Sequence, residues 1–309
     1  MPNNKKKSFP FHIVVFLAPA VIIYTVFMIY PLIDSLRLSL YSQAIDPATN
    51  QNVETFVGLQ NYQKLLTDEL LSPRLWGAIK NNFVFFAIHM FVQNPLGLLL
   101  ATLLSSRFIR GRSVYRTLIF TPTVLSVTLI GFIWRLILSP LWGKELLKPF
   151  GLTPQPLLGQ SETALVVLSL VSVWQWVGVP MMLFLAALIS IPDELVEAAR
   201  VDGANAINVF WGIKLPLILP TVGIVAVLTF VGNFNAFDLI YTTQTALAGP
   251  DYSTDLLGTL FYRTFFGFQL QQGNPSMGAT VAGVMFIIIL IGVLIYLFGY
   301  QRRLLQIEF

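Results

Sequence analysis

Residues 277–300 read MGATVAGVMFIIILIGVLIYLFGY, without a single Asp, Glu, Lys or Arg. A bilayer core of about 30 Å, divided by a helical rise of about 1.5 Å per residue, needs roughly 20 mostly apolar residues. This stretch is long enough to cross, and it is apolar on every side, where a soluble surface helix keeps one polar face. The same test, carried outward, selects five more segments, at about 11–33, 79–104, 117–138, 163–189 and 217–241. Composition agrees. Charged residues make up 11% of the 309, where soluble domains carry roughly 25%. The hydrophobic fraction of 55%, the 25 Phe and a mean hydropathy of +0.72 exclude a disordered chain, which has too little apolar surface to bury. The expected fold class is all-α, a polytopic membrane protein with six transmembrane helices. A cytoplasmic tail (1–10) precedes a transmembrane domain (11–309).

The first apolar run follows Lys5, Lys6 and Lys7 and contains Ala18-Pro19-Ala20, which resembles a small-residue cleavage site of a signal peptide. It continues past Ala20 for ten residues, so it is expected to stay as an anchor. Orientation follows from the basic residues. One side collects Lys5, Lys6, Lys7, Arg107, Arg110, Arg112, Arg116, Arg200, Lys214, Arg302 and Arg303. The other holds fewer, diluted in longer loops: Arg37, Lys64, Arg74, Lys80, Lys144, Lys148 and Arg263. Both termini are therefore expected in the cytoplasm, and Arg135, inside the third span, is expected to snorkel to the interface. The basic excess of +4 belongs to this topology and does not indicate nucleic acid.

The loop between spans four and five, 190–216, carries the most information. Residues 190–204 read SIPDELVEAARVDGA. Pro192 suits a first turn, Asp193 and Glu194 complement the positive start of a helix, Ala198 and Ala199 favour its interior, and Gly203 suits its end. Small side chains let another protein approach the backbone, and Glu197 offers a charge. The bland reading is a solvated connecting helix. No Cys exists, and there is no H-E-x-x-H, G-x-S-x-G or G-x-x-x-x-G-K-[ST] pattern, so nothing assembles a catalytic, metal or nucleotide site.

Glu197-Ala198-Ala199, three residues, Gly203, nine residues and then Ile213-Lys214-Leu215-Pro216 resemble the cytoplasmic loop of permease subunits of binding-protein-dependent ATP-binding-cassette importers. Further stretches are similar to the carbohydrate branch of that family, in particular to the larger permease subunit of maltose importers. They are 56–62 (FVGLQNY), 110–116 (RGRSVYR), 234–240 (FNAFDLI) and Gly249-Pro250-Asp251 with Thr254. Ala248 stands where that family commonly has the first Gly of Gly-Gly-Pro. The resemblance implies a type I importer permease fold and a cell inner membrane location. It implies that Glu197, Ala198, Ala199, Gly203, Leu215 and Pro216 dock an ATPase. The implied partners are a second homologous permease, a dimeric ATP-binding subunit that holds ATP and Mg, an external solute-binding protein and a carbohydrate or related osmolyte. No cofactor is expected in this chain, and no enzyme activity.

For the substrate, span five places Thr229, Asn233, Asn235 and Asp238 where lipid disfavours polar groups. Thr229, Asn233 and Ala236 fall on one helical face at spacings of four and three. Asn233 and Asn235, two apart, cannot share one. In span four Trp174, Gly178 and Met181 form another stripe, where a Trp can stack on a pyranose and a Gly permits close approach. By resemblance, Thr123, Trp174, Gly178, Met181, Thr229, Asn233 and Ala236 occupy sugar-contacting positions, several of them with replaced side chains, and Asn235 is a further candidate substrate contact. His89 and Gln93 in span two read as an interhelical hydrogen-bonding pair rather than a proton relay. Ala279 and Gly283 in span six read as a close-packing pair. The alternatives are a lone secondary transporter, disfavoured by the lack of a visible inverted repeat, and an intramembrane enzyme acting on lipid-linked sugar, disfavoured by the scatter of His89, Arg135 and Asp238.

Overall fold

The computed structural model describes residues 11–45, 52–106, 109–141, 148–150, 156–269 and 271–302. The expected tail 1–10, with its three Lys, and Arg107, Lys144 and Arg303 lie outside the described residues. Among the described residues, four helices are long and apolar enough to cross a membrane: α1 (Val15–Leu38), α3 (Leu71–Ser105), α9 (Ala206–Gln244) and α11 (Pro275–Gln301). A short helix, α2 (Gln60–Thr67), precedes α3. Two further pairs pass the same test only when joined across a break: α4 (Arg112–Val124) with α5 (Val127–Ile137), bent by 95°, and α6 (Ala164–Trp176) with α7 (Gly178–Ile189), bent by 43°. The fold is thus mostly helical, with four such helices or up to six spans. The straight third span expected at 117–138 is broken, because Leu125 and Ser126 adopt extended backbone (ψ 144° and 132°). Apolar periodicity cannot register such a turn. In α7, Pro180 has no N–H to offer the carbonyl four residues earlier, at Trp176, which accounts for a kink there.

Helix α3 is the central post. Its first part packs on α6 and its second on α7, so the helices run parallel, and α7 and α9 pack on each other as well. One core joins Ala101 and Leu104 of α3 to Met181, Phe184, Leu185 and Leu188 of α7 and Ile218 and Val225 of α9. A second joins Leu65 of α2 and Leu75 and Ala78 of α3 to Phe234 of α9, Leu257 and Leu260 of α10 (Leu257–Phe266) and Met277 and Val281 of α11. By contrast, no residue of Val15–Leu38 is buried. Its Tyr30–Leu38 end packs on α11, and an apolar helix exposed over the rest of its length requires lipid or another protein around it. Gly283 approaches the Tyr62 side chain of α2, so span six packs against that helix.

The segment after α9 is held by a buried ion pair. Arg263 donates from Nη2 to Asp255 at 2.6 Å and from Nη1 to the Ala246 carbonyl at 2.6 Å, and its guanidinium lies 4.9 Å from the centre of the Tyr252 ring. Arg74 lies 4.5 Å from the same ring. Burial pushes the Asp255 carboxyl up, and the paired Arg263 opposes that shift. Thr254 donates to the Gly249 carbonyl at 3.1 Å, which closes the loop of the Gly-Pro-Asp stretch.

Candidate functional site

Four irregularities in the helices meet around one cavity of about 420 Å³, a size within the usual range for small-molecule sites. The first is a π-helical turn in α3, His89–Gln93, where the Asn94 N–H reaches the His89 carbonyl. Such widened turns recur at functional sites. The second is the α4–α5 bend, which presents Val127. The third is the α6–α7 kink, with Ser172 and Trp176 before it and Val179, Pro180 and Leu183 after it. The fourth is an interruption in α9 after Phe234, where Asn235, Ala236 and Phe237 leave the helix before Asp238 resumes it. Irregular backbone at membrane depth is tolerated where it lines a cavity or is covered by protein.

Thr229, Asn233 and Asn235 all border this cavity, as do Ala236 and Asp238. Asn235 joins the others because the helix ends beneath it (φ −97°, ψ 5°), which lifts the one-face restriction that holds inside a regular helix. Thr229 and Asn233 are buried. Thr229 bonds Asn94 of α3, with the two side chains exchanging contacts at 3.1 and 3.2 Å. Asn233 donates from Nδ2 to the Thr229 carbonyl at 2.7 Å. Its own carbonyl accepts from Asn82 Nδ2 at 2.9 Å, and Asn82 Oδ1 in turn accepts from the Leu257 N–H at 2.7 Å. Asn82, invisible as a site residue in sequence, thereby ties α3, α9 and α10 together.

The other expected contacts do not border the cavity. Trp174 is half-exposed and packs edge-on against Trp134 with ring centres 5.6 Å apart. Trp176, two residues on, is the cavity tryptophan, because two positions in a helix are about 200° apart. A Cβ on Gly178 would stand 2.9 Å from the Phe120 Cα and 3.0 Å from the Ile119 carbonyl. Its missing side chain thus admits the backbone of α4. Met181 is fully buried in the α3–α7–α9 core. Thr123 donates to the Gln175 carbonyl at 2.9 Å, closing the α4–α6 contact. On the far wall His89 and Gln93 line the cavity with Ser172. His89 reaches across helices to Ser172, with Nε2 and Oγ 2.9 Å apart, while Gln93 is not its partner.

The second polar feature is the 190–216 loop. Helix α8 (Asp193–Val201) carries Asp193 and Glu194 in its first turn. It ends at Gly203, whose φ is +85° and whose N–H bonds the Arg200 carbonyl, while Ala204 bonds Ala199. Glu197, Ala198 and Gly203 are exposed and Ala199 is half-buried. Asn205 then caps the next helix by accepting from the Asn208 N–H at 2.8 Å, and Leu215 and Pro216 lie where the π-helical turn Phe210–Lys214 passes into the apolar part of α9. Large apolar side chains stand out from this loop: Val201 is 87% exposed, Ile207 68% and Trp211 63%.

Long apolar helices broken around a solute-sized cavity with a few convergent polar groups in a mostly apolar lining, with a capped helix exposed in a loop between them, define a polytopic permease. The chain belongs to the family described as binding-protein-dependent transport system inner membrane component, which it matches over residues 93–305. It is 30% identical over 295 residues to the arabinooligosaccharides transport system permease protein AraP of Bacillus subtilis (strain 168), covering 94% of this chain and 88% of that one. It is also 30% identical over 292 residues to the lactose transport system permease protein LacF of Rhizobium radiobacter, covering 93% of each. Among solved structures, a chain of a bacterial ABC transporter involved in the import of the acidic polysaccharide alginate superposes with a TM-score of 0.75 at 23% identity, over 94% of this chain and 96% of that one. That likeness concerns the fold.

Proposed function

We propose that this chain is the permease subunit of an ATP-driven, binding-protein-dependent sugar importer. It crosses the cell inner membrane six times with both termini cytoplasmic and forms half of the translocation pathway. The observation that carries this reading is the cavity bordered by Thr229, Asn233 and Asn235, formed where four helix irregularities meet in a chain of this family. The printed names of relatives, an arabinooligosaccharide and a lactose permease, support a carbohydrate. The alginate transporter solved in complex with a pentasaccharide-bound periplasmic protein supports an external binding partner. The proposed solute contacts are Thr229, Asn233 and Asn235, with Trp176 as the aromatic face.

Transport by this route alternates between two conformations, whose relative energies the loaded binding protein and ATP bias differently. The loop 190–216 would carry that bias. Glu197, Ala198, Ala199, Gly203, Leu215 and Pro216 present or hold a capped helix with exposed apolar neighbours, a surface suited to a cleft in an ATPase dimer. ATP and Mg belong to that dimer, and a second related permease completes the pathway. Affinity purification of the tagged chain from its own membranes tests this directly. An ATP-hydrolysing subunit and a second permease should co-purify in fixed proportion. Sugar uptake by reconstituted chain alone, with no ATPase present, would refute it.

A further inference from the structure

The wall of the cavity opposite α9 is polar in a particular way. The Phe85 carbonyl lies 2.8 Å from His89 Nδ1. A carbonyl only accepts, so Nδ1 carries the hydrogen. In the neutral ring Nε2 then accepts the Ser172 hydroxyl hydrogen across 2.9 Å, and the lone pairs of Ser172 Oγ stay open. Gln93 lies one turn farther along α3, is 6% exposed, and its Oε1 is buried with no hydrogen-bond partner among the described residues. A buried oxygen left unpaired in this way is costly unless a donor arrives. On the α9 side Asn233 and Asn235 each give an N–H to their own helix, at the Thr229 and Val231 carbonyls. Their amide oxygens have no protein donor among the described residues. Among the described residues no Lys or Arg borders the cavity, and the one carboxylate that does is Asp238.

We propose that Gln93 and the Ser172–His89 pair form the specificity wall of this cavity, which selects a neutral, hydroxyl-rich solute over a carboxylated or phosphorylated one of the same size. Hydroxyl groups donate to the open oxygens of Gln93, Ser172 and Asn233. An anion meets the same oxygens, and Asp238 adds like charge, with no cation among the described lining residues to offset them. This inference rests on the cavity being the solute path.

The chain has no Cys, so label found on this chain after its separation from the partner subunits reports a single introduced thiol. Gln93→Cys, Ser172→Cys and Asn233→Cys would be assembled with the partner subunits in membranes. Each would be treated with a neutral hydroxyethyl and an anionic sulfonatoethyl methanethiosulfonate, with rates normalised to a free thiol in solution. All three should react, the neutral reagent faster by about tenfold or more. Adding Gln93→Leu to Asn233→Cys should lower the neutral-to-anionic ratio by about tenfold, the loss expected for one buried acceptor. Reaction at Asn233→Cys but neither at Gln93→Cys nor at Ser172→Cys would overturn the specificity wall and leave the solute path standing. No reaction at any of the three would overturn the path itself. Equal normalised rates, or a ratio indifferent to Gln93→Leu, would overturn the selection against anions.

Discussion

Asn233 separates its structural and its solute-facing duties between main chain and side chain. The tie to α3 runs through its carbonyl, held by Asn82 at 2.9 Å, and that bond survives truncation. Asn233→Ala complexes should therefore assemble normally and lose a buried hydrogen bond to solute worth about 1 to 3 kcal/mol. Uptake per assembled complex, measured at low sugar with the binding protein saturated, should fall about tenfold or more, since about 1.4 kcal/mol is tenfold. Asn82→Ala should behave oppositely. It strands the Leu257 N–H and cuts the tie to the Asn233 carbonyl, so abundance and thermal stability should drop first. Gly178→Leu belongs with Asn82, because its new side chain meets the backbone of α4 at Phe120. The expected result is loss of folded complex by size-exclusion chromatography, with no selective block of transport. For the buried Arg263–Asp255 pair, Arg263→Ala leaves an uncompensated carboxylate and should cost about 3 to 5 kcal/mol, read as a lowered melting temperature of the purified complex.

Among elements, α8 shows how a local rule and a functional surface coincide. Gly203 holds φ at +85° with open space where a Cβ would sit. Gly203→Val therefore clashes with nothing and acts only through the left-handed backbone, at about 1 to 2 kcal/mol. Membrane insertion and abundance should be preserved while the helix end is displaced, so ATPase association or sugar-stimulated hydrolysis should collapse. Unchanged uptake together with unchanged ATPase co-purification would remove α8 from the coupling role. The α4–α5 pair makes the contrary point: a mostly apolar stretch over 117–138 conceals a 95° bend, because hydropathy reports solvent preference and carries no information about ψ at two residues.

At the scale of the whole molecule, the exposed apolar helix Val15–Leu38 and the exposed loop of α8 face surroundings that this chain does not itself provide. Orientation is testable on the Cys-free background. With the proposed topology, Ser113→Cys at the start of α4 should be protected from an impermeant external thiol reagent, and Glu162→Cys just before α6 should be labelled; both side chains are exposed. The reverse pattern would place the 190–216 loop outside the cell, where no ATP-hydrolysing subunit could use it.

The sequence by itself determined where apolar segments lie, because transfer into lipid is a sum over residues that needs no partner. It also determined the end of α8, because a glycine suited to positive φ after Ala198-Ala199 is a local backbone preference. Thr229 and Asn233 were legible for a related reason: one helical period puts them on a common face. Only the tertiary structure decided which face meets which. Trp176, not Trp174, borders the cavity, since the two leave α6 about 200° apart and the packing of α6 on α3 selects the face. Gly178 and Met181 belong to packing, because α4 and α9 come close enough to cover them. Asn235 enters the site since α9 stops at Phe234, and Gln93 and Ser172 complete the opposite wall since α3 and α6 run side by side. Those choices depend on contacts between residues scores of positions apart, and the free energy that fixes them is absent from any single segment of the chain.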